Sequence, residues 1–336
     1  MLLAASAAAS PSPAPFADGK HKGMSYAHAM RPGAGYASDA SEQSLQRLKE
    51  LGVSWVSITP FGFQRQAQDA TFRWFRGSSS SFGESDERLV GVTRQAHALG
   101  IKVMLKPHLW LRPPDWPGAI QPQGEDGWRE WFHTYREFIL HYALLARMSG
   151  MDALCIGNEL EKTTGREREW RAVIAAVRAA YPGPLTYGAA FEEVFRVPFW
   201  DALDFIGVSA YYPLVEERSP GRARLAAAWK PVAEKLAGLA AARNRKIVFT
   251  ELGYRSADFG AWKHWEIPRS APANLALQAD AYAAFFDAVW PQDWMAGVYW
   301  WKWFSHPGHS GPDSNDYELE NKPAENIVRR YYRTGG

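Results

Sequence analysis

Early in the chain, an apolar helical stretch twice ends on a glycine and passes at once into a strand-like segment. Leu45, Leu48 and Leu51 recur at helical spacing over 41–51, Ser41 stands where an N-cap belongs, and Gly52 closes the helix before a strand at 54–60. Residues 85–99 repeat the form, closed by Gly100 and followed by a strand at 102–108. A helix between successive apolar strands returns the chain to the same end of the sheet, so the strands pair in parallel.

The unit recurs along the chain. After a first strand at 23–28, helices over about 127–148, 166–180, 222–243, 274–290 and 323–332 alternate with strands at 153–160, 185–190, 205–211, 246–253 and 297–303. Eight strands and about eight helices within 336 residues are the count of one (β/α)8 barrel, the TIM-barrel fold. An open doubly wound sheet is the alternative, but no G-x-G-x-x-G phosphate loop follows the first strand. No linker interrupts the pattern, and a single barrel domain is expected over 23–334.

Residues 1–22 stand outside it. The first part is rich in Ala, Ser and Pro, and Ala5, Ser6 and Ala7 have the small-residue form of a signal cleavage site, although no basic segment precedes them. The stretch is expected to be disordered or signal-like: secretion or a periplasmic location follows if it is a signal, a cytoplasmic one if not.

Charge and cysteine content close off several classes. The 38 basic and 36 acidic residues are interspersed, with no basic stripe to suit nucleic acid or a membrane surface. Apolar runs fall short of the roughly 20 residues a membrane span needs. Cys155 is the only cysteine, which excludes an intrachain disulfide and a Cys-ligated metal, and its strand context marks it as a buried apolar residue. The chain is expected to act as a monomer without a cofactor.

Chemistry collects at the strand ends, where such barrels build their active sites. His28, Lys106, His108, Asn158, Glu159, Tyr211, Tyr212, Glu251, Trp301 and Trp303 all fall there. Glu159 and Glu251 each end an apolar strand, a costly place for a carboxylate without a function. Glycosidic cleavage needs one carboxylic acid to protonate the leaving oxygen and one carboxylate to attack carbon or activate water. The fourth and seventh strands lie across the barrel from each other, and inward side chains there approach the roughly 5–5.5 Å separation of retaining enzymes. The bland alternatives are strand-end ion pairs, Glu159 with Lys162 and Glu251 with Arg255.

Longer motifs narrow the class. Lys106-Pro107-His108, Trp131-Phe132 with Phe138-Ile139-Leu140-His141-Tyr142, Val197-Pro198-Phe199-Trp200-Asp201, Phe249-Thr250-Glu251-Leu252-Gly253-Tyr254-Arg255-Ser256 and Val298-Tyr299-Trp300-Trp301-Lys302-Trp303 resemble glycoside hydrolase family 113, within the clan A retaining glycosidases. The resemblance implies a β-1,4-mannanase acting on mannan or manno-oligosaccharides. It implies Glu159 as general acid/base, Glu251 as nucleophile, Asn158 on the sugar 2-hydroxyl, Tyr211 on the nucleophile, and Trp301 or Trp303 beneath the ring. The same chemistry on another β-linked glycan such as a β-glucan, and a carbohydrate-binding barrel without catalysis, are the alternatives.

Further residues carry weaker signals. His28, Lys106 and His108 are candidate substrate contacts, and Trp110 and Trp116 candidate outer sugar platforms among the 16 tryptophans. Strand alternation puts Trp301 and Trp303 on the inner face and Trp300 against the helices. His28, His108 and His141 lack metal-ligand spacing, and residues 311–317 lack the EF-hand pattern, so no metal is expected. Glu192 and Glu193 read as acidic residues at a short helix start.

Overall fold

In the computed structural model, which describes residues 14–74 and 84–334, the repeated unit closes on itself. The strands are β1 (His21–Ala27), β2 (Trp55–Ile58), β3 (Phe61–Gln64), β4 (Arg73–Trp74), β5 (Lys102–Leu105), β6 (His108–Leu111), β7 (Ala153–Asn158), β8 (Leu185–Ala190), β9 (Ile206–Ser209), β10 (Ile247–Leu252) and β11 (Met295–Phe304). Eight of them, β1, β2, β5, β7, β8, β9, β10 and β11 in that order, form a closed parallel barrel in which β11 returns to β1. The helices around it are α1 (Asp39–Leu51), α2 (Asp86–Ala98), α3 (Gly124–Ser149), α4 (Glu167–Ala180), α5 (Arg222–Arg243), α6 (Leu275–Ala288) and α7 (Pro323–Thr334).

Local chemistry sets the boundaries. Ser38, rather than Ser41, caps α1 by accepting the Ser41 N–H at 3.1 Å; Ser41 itself is buried one turn in, against the Tyr26 hydroxyl at 3.0 Å. Gly52 and Gly150 close α1 and α3 in left-handed geometry, with φ of 90° and 70°. The described residues hold seven α-helices rather than about eight. Between β8 and β9 the crossover consists of two 3-10 turns, Glu193–Phe195 and Trp200–Ala202, and the fully buried Phe199 and Trp200 fill the space a helix would occupy.

The third barrel strand also ends sooner than expected. Pro107 has no N–H to continue the ladder. The chain leaves the barrel there, and His108 opens β6, which pairs in parallel with β3 while β4 flanks β3 antiparallel. This three-stranded sheet rises over the barrel mouth. The polar loop carrying Ser78 to Ser81 lies outside the described residues, as do residues 1–13.

Two layers make the core. Inside the barrel, Trp55, Met104, Cys155, Phe205, Val248 and Tyr299 pack together. Residues 14–20, assigned above to the tail, seal this lumen from below: Phe16 joins the cluster, edge-on to Phe205 at 5.6 Å, and the Pro15 carbonyl meets His21 Nε2 at 2.8 Å. Burial of Phe16 against this apolar ring holds residues 14–20 in place ahead of the first strand. Between strands and helices lies an aromatic shell in which Trp131 stacks on Tyr135 at 4.8 Å and Trp300 on Tyr282 at 4.1 Å. Each such fully buried ring contributes about 1.5–3 kcal/mol by leaving water.

Candidate active site

Glu251 is held at the carboxyl end of β10, opposite Ser209 in the β9 register, and is 5% exposed. Its Oε1 contacts Nζ of Lys106, which is fully buried just beyond β5, and its Oε2 accepts the Tyr211 hydroxyl at 2.9 Å. Lys106 also donates to the Thr250 carbonyl at 3.3 Å and to Asn158 Oδ1 at 3.4 Å. These are the partners of a charged carboxylate, and they tie β5, β7, β9 and β10 together at one point.

Asn158 ends β7, with Oδ1 taken by Lys106 and by the Ser209 hydroxyl at 3.3 Å. Its amide nitrogen is therefore the end available to donate toward the mouth. Glycine at 188 makes the fit possible, since a Cβ there would stand 2.5 Å from Asn158 Oδ1. Ser209 was not singled out from the sequence, although its place at the end of β9 is the same strand-end signal.

Glu159 follows directly, with φ of 52°. Burial, and then the negative charge of Glu251, push its carboxyl up to about 8, against weaker opposing effects of Ser209 and Lys106. Two neighbouring carboxyls thus sit in contrasting surroundings, one against an ammonium and the other kept protonated at neutral pH. Neither forms the bland ion pair: Arg255 is engaged by the carbonyls of Asn315, Ile267 and Pro268, and Glu251 by Lys106.

His108 stands at the opening of β6, its Nε2 3.5 Å from Glu251 Oε1 and, though buried, without a hydrogen-bond partner among the described residues. Burial, and then the Lys106 charge, hold the ring well below the usual histidine range, so it is neutral. Trp301 lies parallel to it, centroids 6.2 Å apart and planes within 8°. Trp300 faces α6, as expected. Trp303 does not share the inner face with Trp301: it is fully buried against α1, its Nε1 donating to Ser44 Oγ at 2.9 Å and its ring under Arg47. The β1 partners Met24 and Tyr26 stand opposite Trp300 and Trp303, so β11 carries one extra residue there and its alternation shifts.

His28 is buried beneath the β1–α1 loop, where its Nδ1 accepts the Tyr36 N–H at 3.1 Å. Trp110 and Trp116 are 44% and 43% exposed. Trp116 lies in the loop beyond β6, whereas Phe63 joins Trp110 on the upper sheet, 6.1 Å between rings, and Phe61 links Phe63 to His108. Across the mouth, half-exposed Trp265 stacks on Phe191 at 6.3 Å. Phe61, Phe63, Phe191 and Trp265 were not expected, because only the added sheet and a long loop bring them to the rim.

Glu193 departs from its reading. It is fully buried, and a three-residue 3-10 turn gives it no helix dipole to answer. Among the described residues, no group of three or more His, Cys, Asp or Glu side chains could hold a metal ion.

The sequence profile of Glycoside Hydrolase Family 113 matches residues 24–322. The chain belongs to this family. It is a glycoside hydrolase, and its substrate is a glycan. A family 113 β-mannanase from Alicyclobacillus acidocaldarius, solved in complex with ManMIm, is 29% identical, with a TM-score of 0.84 over 95% of this chain and 98% of that one. Another family 113 β-1,4-mannanase, also solved as a complex, is 25% identical, with a TM-score of 0.82 over 94% of this chain and 99% of that one. A β-glucuronidase from Ruminococcus gnavus shares only the barrel, at 14% identity and a TM-score of 0.64 over 94% of this chain and 50% of that one. The sequence has no significant match among curated proteins.

Proposed function

We propose that this family 113 enzyme cleaves β-1,4-linked mannan or manno-oligosaccharides with retention of configuration, using Glu159 as general acid/base and Glu251 as nucleophile. The observation that carries the reading is the asymmetry of the two carboxyls. Glu251 faces the Lys106 ammonium and the Tyr211 hydroxyl, whereas Glu159 is raised to about 8 by burial and by Glu251. The likeness to two β-mannanases over nearly the whole chain supports mannan as the substrate class.

In the first displacement, a Glu251 oxygen bonds to the anomeric carbon as the glycosidic oxygen leaves with the Glu159 proton. In the second, the Glu159 carboxylate takes a proton from water, whose oxygen attacks the same carbon and releases Glu251. Asn158 offers its amide N–H to the 2-hydroxyl, a contact that strengthens as charge develops on the ring. His108, neutral and unpaired at Nε2, offers a second polar contact, and Trp301 a face for the sugar. Trp110, Trp116 and Phe63 supply apolar faces for more distant sugar units.

The test is hydrolysis of mannohexaose beside cellohexaose by the wild type and by Glu251→Ala, with product anomers followed by NMR. Cleavage of the mannan oligomer alone, with a β-anomer formed first and activity lost in the variant, is the expected result. Preference for cellohexaose would move the substrate to a β-glucan, and an α-anomer formed first would overturn retention.

A further inference from the structure

Glu159 itself adopts the left-handed backbone region, at φ 52°. A non-glycine residue is strained there and persists only where its surroundings fix it. Three bonds do so. The Glu159 N–H donates to the Gly188 carbonyl at 2.8 Å, the Leu160 carbonyl accepts the Thr163 N–H at 2.9 Å, and the Leu160 N–H donates to the Tyr187 hydroxyl oxygen at 2.7 Å.

The last bond depends on which way the Tyr187 hydroxyl turns. Its single proton goes to Glu193 Oε1 at 2.7 Å, while Glu193 Oε2 accepts the Ala190 N–H at 2.8 Å. A carboxylate only accepts, so it draws the phenolic proton to itself and leaves a lone pair facing Leu160. Gly157 is what lets the ring come this close, since a Cβ there would stand 2.9 Å from Tyr187 Cε2. Burying a carboxyl completely, as at Glu193, is expensive without a function.

We propose that Glu193 is a positioning residue for Glu159, acting through the Tyr187 hydroxyl on the Leu160 N–H. The inference rests on Glu159 being the acid/base. Tyr187 on β8, Glu161 in the turn after β7 and Arg196 on its own turn are the titratable groups that face Glu193. Glu251, Lys106, Tyr211, Tyr317 and Glu193 itself bear on Glu159, where Glu193 adds to the upward push.

Three variants, Glu193→Gln, Tyr187→Phe and Glu159→Gln, are compared on mannohexaose and on 2,4-dinitrophenyl β-mannobioside, whose leaving group departs without a proton. In Glu193→Gln and Tyr187→Phe, kcat/KM on mannohexaose falls about tenfold with KM unchanged, while kcat/KM on the dinitrophenyl substrate stays within about twofold. The alkaline limb of the mannohexaose profile moves to lower pH in Glu193→Gln, because a negative charge that favours the protonated Glu159 is gone. Equal losses on both substrates, no loss on either, or an unmoved limb would overturn the proposal. Should Glu193→Gln fail to fold, Tyr187→Phe, which keeps its ring packing on Trp170, decides the matter through the same substrate pair. If Glu159→Gln itself fails to spare the dinitrophenyl substrate, the acid/base assignment has failed instead.

Discussion

Nζ of Lys106 lies against Oε1 of Glu251, and both side chains are buried. Removing one partner of such a pair leaves the other charge buried alone, at a cost of about 3–5 kcal/mol, whereas removing both is far milder. Lys106→Met and Glu251→Gln should therefore each lower stability in urea unfolding, and the double variant should be destabilised by clearly less than their sum. A strictly additive double variant would show that the contact has no energetic weight.

Glu159 makes stability fall as pH rises. Its carboxyl is raised from 4.5 to about 8 in the folded chain, so between those values the folded state binds more protons than the unfolded one. The stabilisation is complete below about 4.5 and is lost as pH rises toward about 8; Glu193, raised to about 7 by burial, acts in the same direction. The melting temperature of Glu159→Gln should exceed that of the wild type at about pH 9, with the difference shrinking toward about pH 5. A difference independent of pH would contradict the shift.

Tyr211→Phe deletes the hydroxyl on Glu251 Oε2 but leaves the ring against His264 and Tyr317. A hydrogen bond to a charged group is worth about 1.5–3 kcal/mol, so kcat should drop roughly 10- to 100-fold while the melting temperature hardly moves. Steady-state kinetics with a parallel thermal melt separates the two quantities.

The readings of Trp110 as an outer platform and of Trp303 as an inner one part company by experiment. Trp110→Ala removes an exposed face and should weaken binding of mannohexaose about three- to tenfold with little effect on mannotriose, measured by calorimetry on the Glu251→Ala background. Trp303→Phe should do the reverse, destabilising the fold by about 1–2 kcal/mol through the lost Ser44 bond while leaving KM alone.

Much of this was legible in the residues because a barrel repeats one unit, and each unit announces itself by a helical apolar stripe, a closing glycine and a short apolar strand. Glu159, Glu251, Asn158, Lys106, His108 and Tyr211 shared one signal, a polar residue at a strand's end, and the structure gathers them. Trp303 escaped because strict alternation has no way to register an extra residue in β11. Glu193 escaped because its partners, the Tyr187 hydroxyl and the Ala190 N–H, meet it only after the β8 crossover has folded. Trp110 reaches the rim because Pro107 turns the chain out of the barrel, a local event whose destination is set by β3.

The contact between β1 and β11 has a consequence for how the molecule comes into being. These two strands are almost a whole chain apart, yet the Tyr332 hydroxyl of α7 shares its one proton between the Gly23 carbonyl at 3.1 Å and the Val298 carbonyl at 3.4 Å, clasping both. During synthesis β1 keeps one edge unpaired until β11 has been made, and closing so long a loop costs chain entropy before the pairing offsets it. α7 is thus a latch laid across the seam where the last strand of the ring meets the first.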